Sequence, residues 1–226
     1  MATIAENLQA VRARIGRAAR AAGRDAHTVT LLAVSKTHPA SRIVEAHAAG
    51  QHAFGENYVQ DALEKMRALP ALEWHLIGPL QSNKTRLAAE RFHWIHTIDR
   101  EKIARRLSEQ RPAELPALNA LIQVNVSGER TKSGVAAAEV AALARAIVPL
   151  PRLRLRGLMA IPEPGAPRER YREVRAAFDA LRDEFDVDTL SMGMSDDLEL
   201  AIAEGATMVR IGTAIFGARR REKRAA

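Results

Sequence analysis

Cysteine is absent from the 226 residues. Disulfides, thiolate zinc sites, iron–sulfur clusters and cysteine nucleophiles are therefore excluded. Aromatic residues make up only 4%, which argues against a single-strand nucleic-acid surface built on base stacking. No apolar run approaches the length of a membrane helix, and the N-terminus lacks the basic-then-apolar layout of a signal peptide; a cytoplasmic protein without membrane contact is expected. The seven histidines form no H-E-x-x-H or other metal spacing, so no metal is expected. The motifs G-x-x-x-x-G-K-[ST] and G-x-G-x-x-G are missing too, which makes nucleotide binding a poor reading. No Ser-His-Asp layout can be read, though triads assemble only in space.

What is present is an ordinary globular composition, 47% hydrophobic with a net charge of +7. The positive balance favours anionic partners such as phosphorylated small molecules or nucleic acid. The length suits one good-sized core. There is no linker, low-complexity segment or internal repeat, and residues 1–226 are expected to form a single domain with a frayed basic tail at 219–226.

Thr3 followed by Glu6 is a capping-box pattern, and Ile4, Leu8, Val11 and Ile15 follow at helical spacing until Gly23. The opposite face carries Arg12, Arg14, Arg17 and Arg20, expected to be a solvated face. A regular alternation comes next. Strands are expected near Val29–Ser35, His52–Phe54, Glu73–Ile77, Trp94–Thr97, Ala120–Val124, Arg154–Met159, Thr189–Ser191 and Met208–Ile211. Helices are expected between them, at Ala40–Ala49, Val59–Leu69, Lys84–Arg91, Arg100–Gln110, Ala136–Ile147, Arg168–Phe185 and Asp197–Glu204. Eight strands alternating with helices point to an α/β fold, a closed parallel (β/α)8 TIM-type barrel with an extra N-terminal helix; an open doubly wound sheet is the alternative.

The first strand carries the residue of most interest. Val29 to Val34 is a nearly unbroken apolar run, the pattern of a strand buried on both faces, and it ends in Ser35 and Lys36. That end of a barrel strand is where chemistry sits. A lysine there can snorkel to water, pair with a carboxylate, or lose its proton and become a nucleophile. From this stretch alone the solvated lysine is the simpler reading.

Other motifs fall at strand ends. In MGMSDD (Met192 to Asp197), Gly193 permits a tight turn and Ser195 is placed as a helix N-cap that can also serve an anion. In VRIGTAIFG (Val209 to Gly217), Gly212 and Thr213 let backbone approach a ligand and add a hydroxyl, at the recurrent phosphate position after strands seven and eight. Arg210, inside that apolar strand, keeps its proton and needs an acceptor. A buried carboxylate and a ligand acceptor, such as a pyridine nitrogen or a phosphate, stand level. In FGENYVQ, Gly55 is expected to turn the chain, with Glu56, Asn57 and Tyr58 at the mouth; Asn57 could fix a ligand hydroxyl or serve as a turn residue. Ser82 is expected to cap a helix, with Lys84 and Arg86 solvated or near the mouth. His75 is expected as a hydrogen-bonded core residue. The loop Ser127 to Gly134 is polar, and Lys132 adds positive potential.

The ordered segments LLAVSKT, FGENYVQ, WHLIGPLQSNKTR, IHTID, LIQVN, GLMAIP, LSMGMSDD and VRIGTAIFG resemble the pyridoxal phosphate homeostasis proteins, barrels similar to the N-terminal domain of alanine racemase. The resemblance covers nearly the whole chain, and only the lead-in Arg130-Thr131 departs from it. It implies one barrel holding pyridoxal 5'-phosphate (PLP) as a Schiff base on Lys36. Arg210 is implied at the ring nitrogen, Ser195 with Gly212 and Thr213 at the phosphate, and Asn57 at the mouth. It further implies buffering or delivery of PLP, with PLP-dependent apo-enzymes as recipients and no robust catalysis; a monomer is expected. An amino-acid racemase is the alternative. It needs a second base, for which Tyr58 is the one plausible candidate. A nucleic-acid binder is more remote, since no recognition module is visible.

Overall fold

The computed structural model describes residues 2–127 and 133–218. Lys132, the Arg130-Thr131 lead-in and the tail at 219–226 lie outside them. Helix α1 (Ile4–Ala21) begins with the expected capping box, in which the Thr3 hydroxyl accepts from the Glu6 N–H and the Glu6 carboxylate accepts from the Thr3 N–H. Its stripe of Ile4, Leu8, Val11 and Ile15 is buried.

Then strand and helix alternate: β1 (Thr30–Val34), α2 (Ala40–Ala48), β2 (Ala53–Glu56), α3 (Val59–Ala68), β3 (Glu73–Leu76), α4 (Thr85–Arg91), β4 (Trp94–Ile98), α5 (Glu101–Gln110), β5 (Leu118–Val124), α6 (Val140–Ile147), β6 (Leu153–Ala160), α7 (Arg168–Glu184), β7 (Thr189–Ser191), α8 (Leu198–Ala203) and β8 (Met208–Ile211). A short helix, α9 (Thr213–Phe216), follows. The strands pair in parallel and in sequence order, and β1 pairs with β8, so the barrel closes and the open-sheet alternative falls away.

Alternation along each strand divides the core. The large cluster, including Ala33, Phe54, Leu76, Ile122 and Val209, lies between sheet and helices. Two small clusters, Leu32, Val34, Ile77 and Met208, and Trp94, Leu121 and Met159, fill the interior. Arg210 is opposite Leu32 in the β1–β8 register and so also points inward.

Several expectations need correction. Gly55 does not turn the chain. It sits within β2, where a Cβ would stand 3.2 Å from Ile77 and 3.3 Å from Leu32, so the crowded interior explains it. Ser82 opens a 3-10 turn and supplies no side-chain cap; its carbonyl accepts from the Thr85 hydroxyl at 2.9 Å. The arginine face of α1 is solvated as expected at Arg12, Arg17 and Arg20, with Arg14 half-buried, but two of these arginines also make contacts not foreseen. Arg12 binds the carbonyls of Ala49 and Gly50, and Arg14 binds Glu199 and the Ser195 carbonyl. These bonds lock α1 across α2 and α8.

Candidate functional site

A cavity of about 620 Å³ opens where the strands end, and Lys36, Asn57, Ser195, Arg210, Gly212 and Thr213 all line it. Its size falls within the ordinary range for small-molecule sites. The structure thus brings together all six residues singled out from sequence.

Lys36 follows the inward positions Leu32 and Val34 by the period of two. Its neighbours are held tightly. Ser35 faces outward, and its hydroxyl donates to Glu56 Oε1 at 2.6 Å. Lys65, from α3, donates to the same Oε1 at 2.6 Å and to the Ser35 carbonyl at 2.9 Å. Glu56 is 1% exposed, its Oε2 has no hydrogen-bond partner among the described residues, and burial pushes its carboxyl up while Lys65 offsets part of that rise. A buried ion pair therefore clamps the residue before Lys36. On the other side, Thr37 has φ 67°, a left-handed conformation costly for a β-branched residue.

This pair corrects the expectation for FGENYVQ. Glu56 points away from the mouth, and Tyr58 is 63% exposed and does not line the cavity. Asn57 alone of the three does. Its backbone is packed against Gly78, where a Cβ would come within 2.2 Å of the Asn57 carbonyl oxygen. Only glycine permits that approach. Lys84 and Arg86 also stay outside the cavity lining.

The turn after β7 is closed by Asp197, which corrects the role assigned to Ser195. Helix α8 starts at Leu198 with Asp197 at the cap position, and the Asp197 carboxylate accepts from the Met194 N–H at 2.6 Å and from the Tyr171 hydroxyl at 2.6 Å. Burial pushes the Tyr171 phenol well above its usual range, so it stays a donor. Gly193 has φ 93° and would place a Cβ 2.5 Å from that of Ala201, so the turn depends on glycine. Ser195 is left in the turn, its side chain not used as a cap. Gly212 and Thr213 open α9 across from it, and the first turn of a helix has N–H groups without intrahelical acceptors.

Arg210 is 4% exposed and held by neutral oxygens: Nη1 donates to the Ser191 carbonyl and hydroxyl, and Nη2 to the Ala160 carbonyl, each at 2.8 Å. Burial lowers its pKa to about 10, so it remains a cation at neutral pH. None of these three hydrogen bonds goes to a carboxylate, so the buried-carboxylate alternative finds no support in these contacts.

Two residues were missed from sequence. Gln123 lines the cavity with its Oε1 buried and, among the described residues, unpartnered, an acceptor available to a donor. Its inward place on β5 was readable from the alternation of Leu121 and Ile122. Lys65 lies on the buried stripe of α3 with Ala62 and Met66, and a lysine at an apolar-face position was the available signal.

Residues 6–220 match the family model for the alanine racemase N-terminal domain. The chain is similar to the pyridoxal phosphate homeostasis proteins of Pseudomonas aeruginosa, 63% identical over 97% of this chain and 97% of that one, and of Escherichia coli, 58% identical over 97% and 98%. Among solved structures it is similar to PipY of Synechococcus elongatus with PLP bound, at 38% identity and a TM-score of 0.83, covering 95% of this chain and 100% of that one. The amine, the buried guanidinium and the paired turns thus sit in a chain that belongs to the alanine racemase N-terminal domain family, among its pyridoxal phosphate homeostasis proteins.

Proposed function

We propose that the chain binds PLP in this cavity and serves PLP homeostasis, as a single-domain cytoplasmic monomer that buffers the cofactor or delivers it to apo-enzymes. The observation that carries this reading is the convergence of Lys36, Arg210 and the turns at Ser195 and Gly212–Thr213 on one cavity. The donor set fits the molecule. When bound, PLP supplies an aldehyde that an amine can hold covalently and an electron-accepting ring. Lys36 is the amine. Ser195, Thr213 and the N–H groups opening α9 would hold the phosphate, and Asn57 would offer an amide to the ring hydroxyl. The buried acceptor of Gln123 suits a ligand donor.

Arg210 decides what kind of site this is. A guanidinium only donates, so it would keep a facing ring nitrogen unprotonated, whereas an acidic partner would protonate that nitrogen and strengthen the ring as an electron sink. The site is suited to holding PLP and poorly suited to carbanion chemistry. The racemase alternative also needs a second base at the cavity. The chain's two tyrosines do not provide it: Tyr58 is exposed, and Tyr171 is bonded to Asp197.

Titration of the purified protein with PLP tests the reading. A visible band that saturates near one equivalent is expected, absent from Lys36→Ala, whose PLP then dialyses away. A colourless wild-type protein after PLP addition would overturn it.

A further inference from the structure

Barrel interiors are usually filled by branched apolar side chains, yet two histidines sit inside this one, both 0% exposed. They belong to an unbroken line of hydrogen bonds. Glu73 Oε1 is 2.7 Å from His75 Nε2, His75 Nδ1 is 2.9 Å from His96 Nε2, and His96 Nδ1 is 3.2 Å from Ser191 Oγ. Ser191 Oγ in turn accepts from Arg210 Nη1 at 2.8 Å. The line runs from a half-exposed carboxylate at the start of β3 to the guanidinium lining the cavity.

Its two ends set the direction of every bond. A carboxylate only accepts and a guanidinium only donates. With Glu73 ionised, His75 Nε2 must carry a proton, and a neutral His75 then accepts at Nδ1. His96 must therefore donate from Nε2 and accept at Nδ1, which takes the Ser191 proton. Ser191 Oγ keeps its lone pairs for Arg210. Burial holds both histidines below their ordinary range, and the bond from His75 holds Glu73 below its own, in keeping with this arrangement. Stacking of Trp94 on His75, at 5.2 Å and 6°, fixes the ring that begins the line.

We propose that Ser191, His96, His75 and Glu73 are positioning residues for Arg210, orienting its guanidinium toward a pyridine-type ring nitrogen in the cavity. The bonds to Ser191 and Ala160 engage three of the five guanidinium N–H donors; the others serve the ligand. An arginine held only by carbonyls would be fixed in place. One that also feeds an ordered proton line toward an anion is fixed in rotation as well.

The proposal rests on the cavity being a PLP site, and the test separates the two. Affinities are measured for PLP and for its carba analogue, in which C–H replaces the ring nitrogen. Wild type should prefer PLP. Ser191→Ala and His96→Phe should each lose about fivefold to tenfold of that preference, with affinity for the analogue unchanged. Folded variants that keep the full preference overturn the inference and leave the site reading standing. A wild-type protein that binds neither ligand overturns both. Should the variants fail to fold, 15N NMR of the histidine rings in the unaltered apo protein decides: both protonated at Nε2 is the expected result, and Nδ1 protonation of either ring overturns the line.

Discussion

Lys65→Met removes an ammonium and keeps most of its apolar stem. Among the described residues, Glu56, 1% exposed, is then left with the Ser35 hydroxyl as its remaining donor, and its Oε2 is already unpartnered. Breaking a buried ion pair from one side costs about 3–5 kcal/mol. For a chain of this length that lowers Tm by roughly 10 °C. The loss depends on pH in a definite direction. Burial already raises the Glu56 carboxyl above its ordinary 4.5, and losing Lys65 raises it further. A group whose pKa is higher folded than unfolded stabilises the fold in acid and stops doing so as pH rises through the folded value. The variant should therefore come closest to wild type below the ordinary carboxyl value, at about pH 4, and fall furthest behind at about pH 8. Glu56→Gln added to Lys65→Met should recover much of the loss, because a neutral amide no longer buries a charge. Lys65 also holds the Ser35 carbonyl at 2.9 Å, so PLP retention should weaken several-fold with it. Thermal unfolding of the apo protein by circular dichroism at the two pH values is the assay. A variant that melts within about 2 °C of wild type at the higher pH, or one whose deficit grows in acid, would refute the reasoning.

Further outcomes follow from the same contacts. Arg210→Ala leaves the Ser191 and Ala160 carbonyls without their donor, at about 1–3 kcal/mol, and should weaken PLP binding by more than it lowers apo stability; calorimetry of binding and melting compares the two. Gly193→Ala forces a side chain into φ 93° against Ala201, so it should destabilise by at least about 1 kcal/mol and loosen phosphate binding, read by competition with inorganic phosphate. Tyr58→Phe should change neither PLP binding nor stability beyond about 0.5 kcal/mol, since its ring is 63% exposed. Any racemisation abolished by that variant would reopen the enzyme reading.

The barrel was legible because its periods are clean. Apolar runs such as TLLAV and the stripe Ile4, Leu8, Val11, Ile15 report burial through spacing alone, and closure of the eight strands is settled by the β1–β8 pairing. Lys36 and Arg210 were legible for the opposite reason, as charges where the pattern demands apolar residues. What sequence hid was orientation and partnership. Glu56, the last residue of β2, faces away from the cavity while Asn57, just past the strand, lines it, so reading both as mouth residues failed by one step of a two-residue period. Asp197, not Ser195, occupies the cap position of α8, with its carboxylate bracing the preceding turn at the Met194 N–H rather than capping the helix, and either residue type suits the cap position locally. The line from Glu73 to Arg210 joins four strands, β3, β4, β7 and β8. No local pattern announces contacts between residues so far apart in sequence.

The account stands on Lys36 as the amine that holds PLP. Borohydride reduction of the PLP-loaded protein, followed by peptide mapping, tests this most directly. The account predicts a phosphopyridoxyl group on Lys36 at close to one per chain. The same yield on another lysine, with Lys36 unmodified, would contradict it.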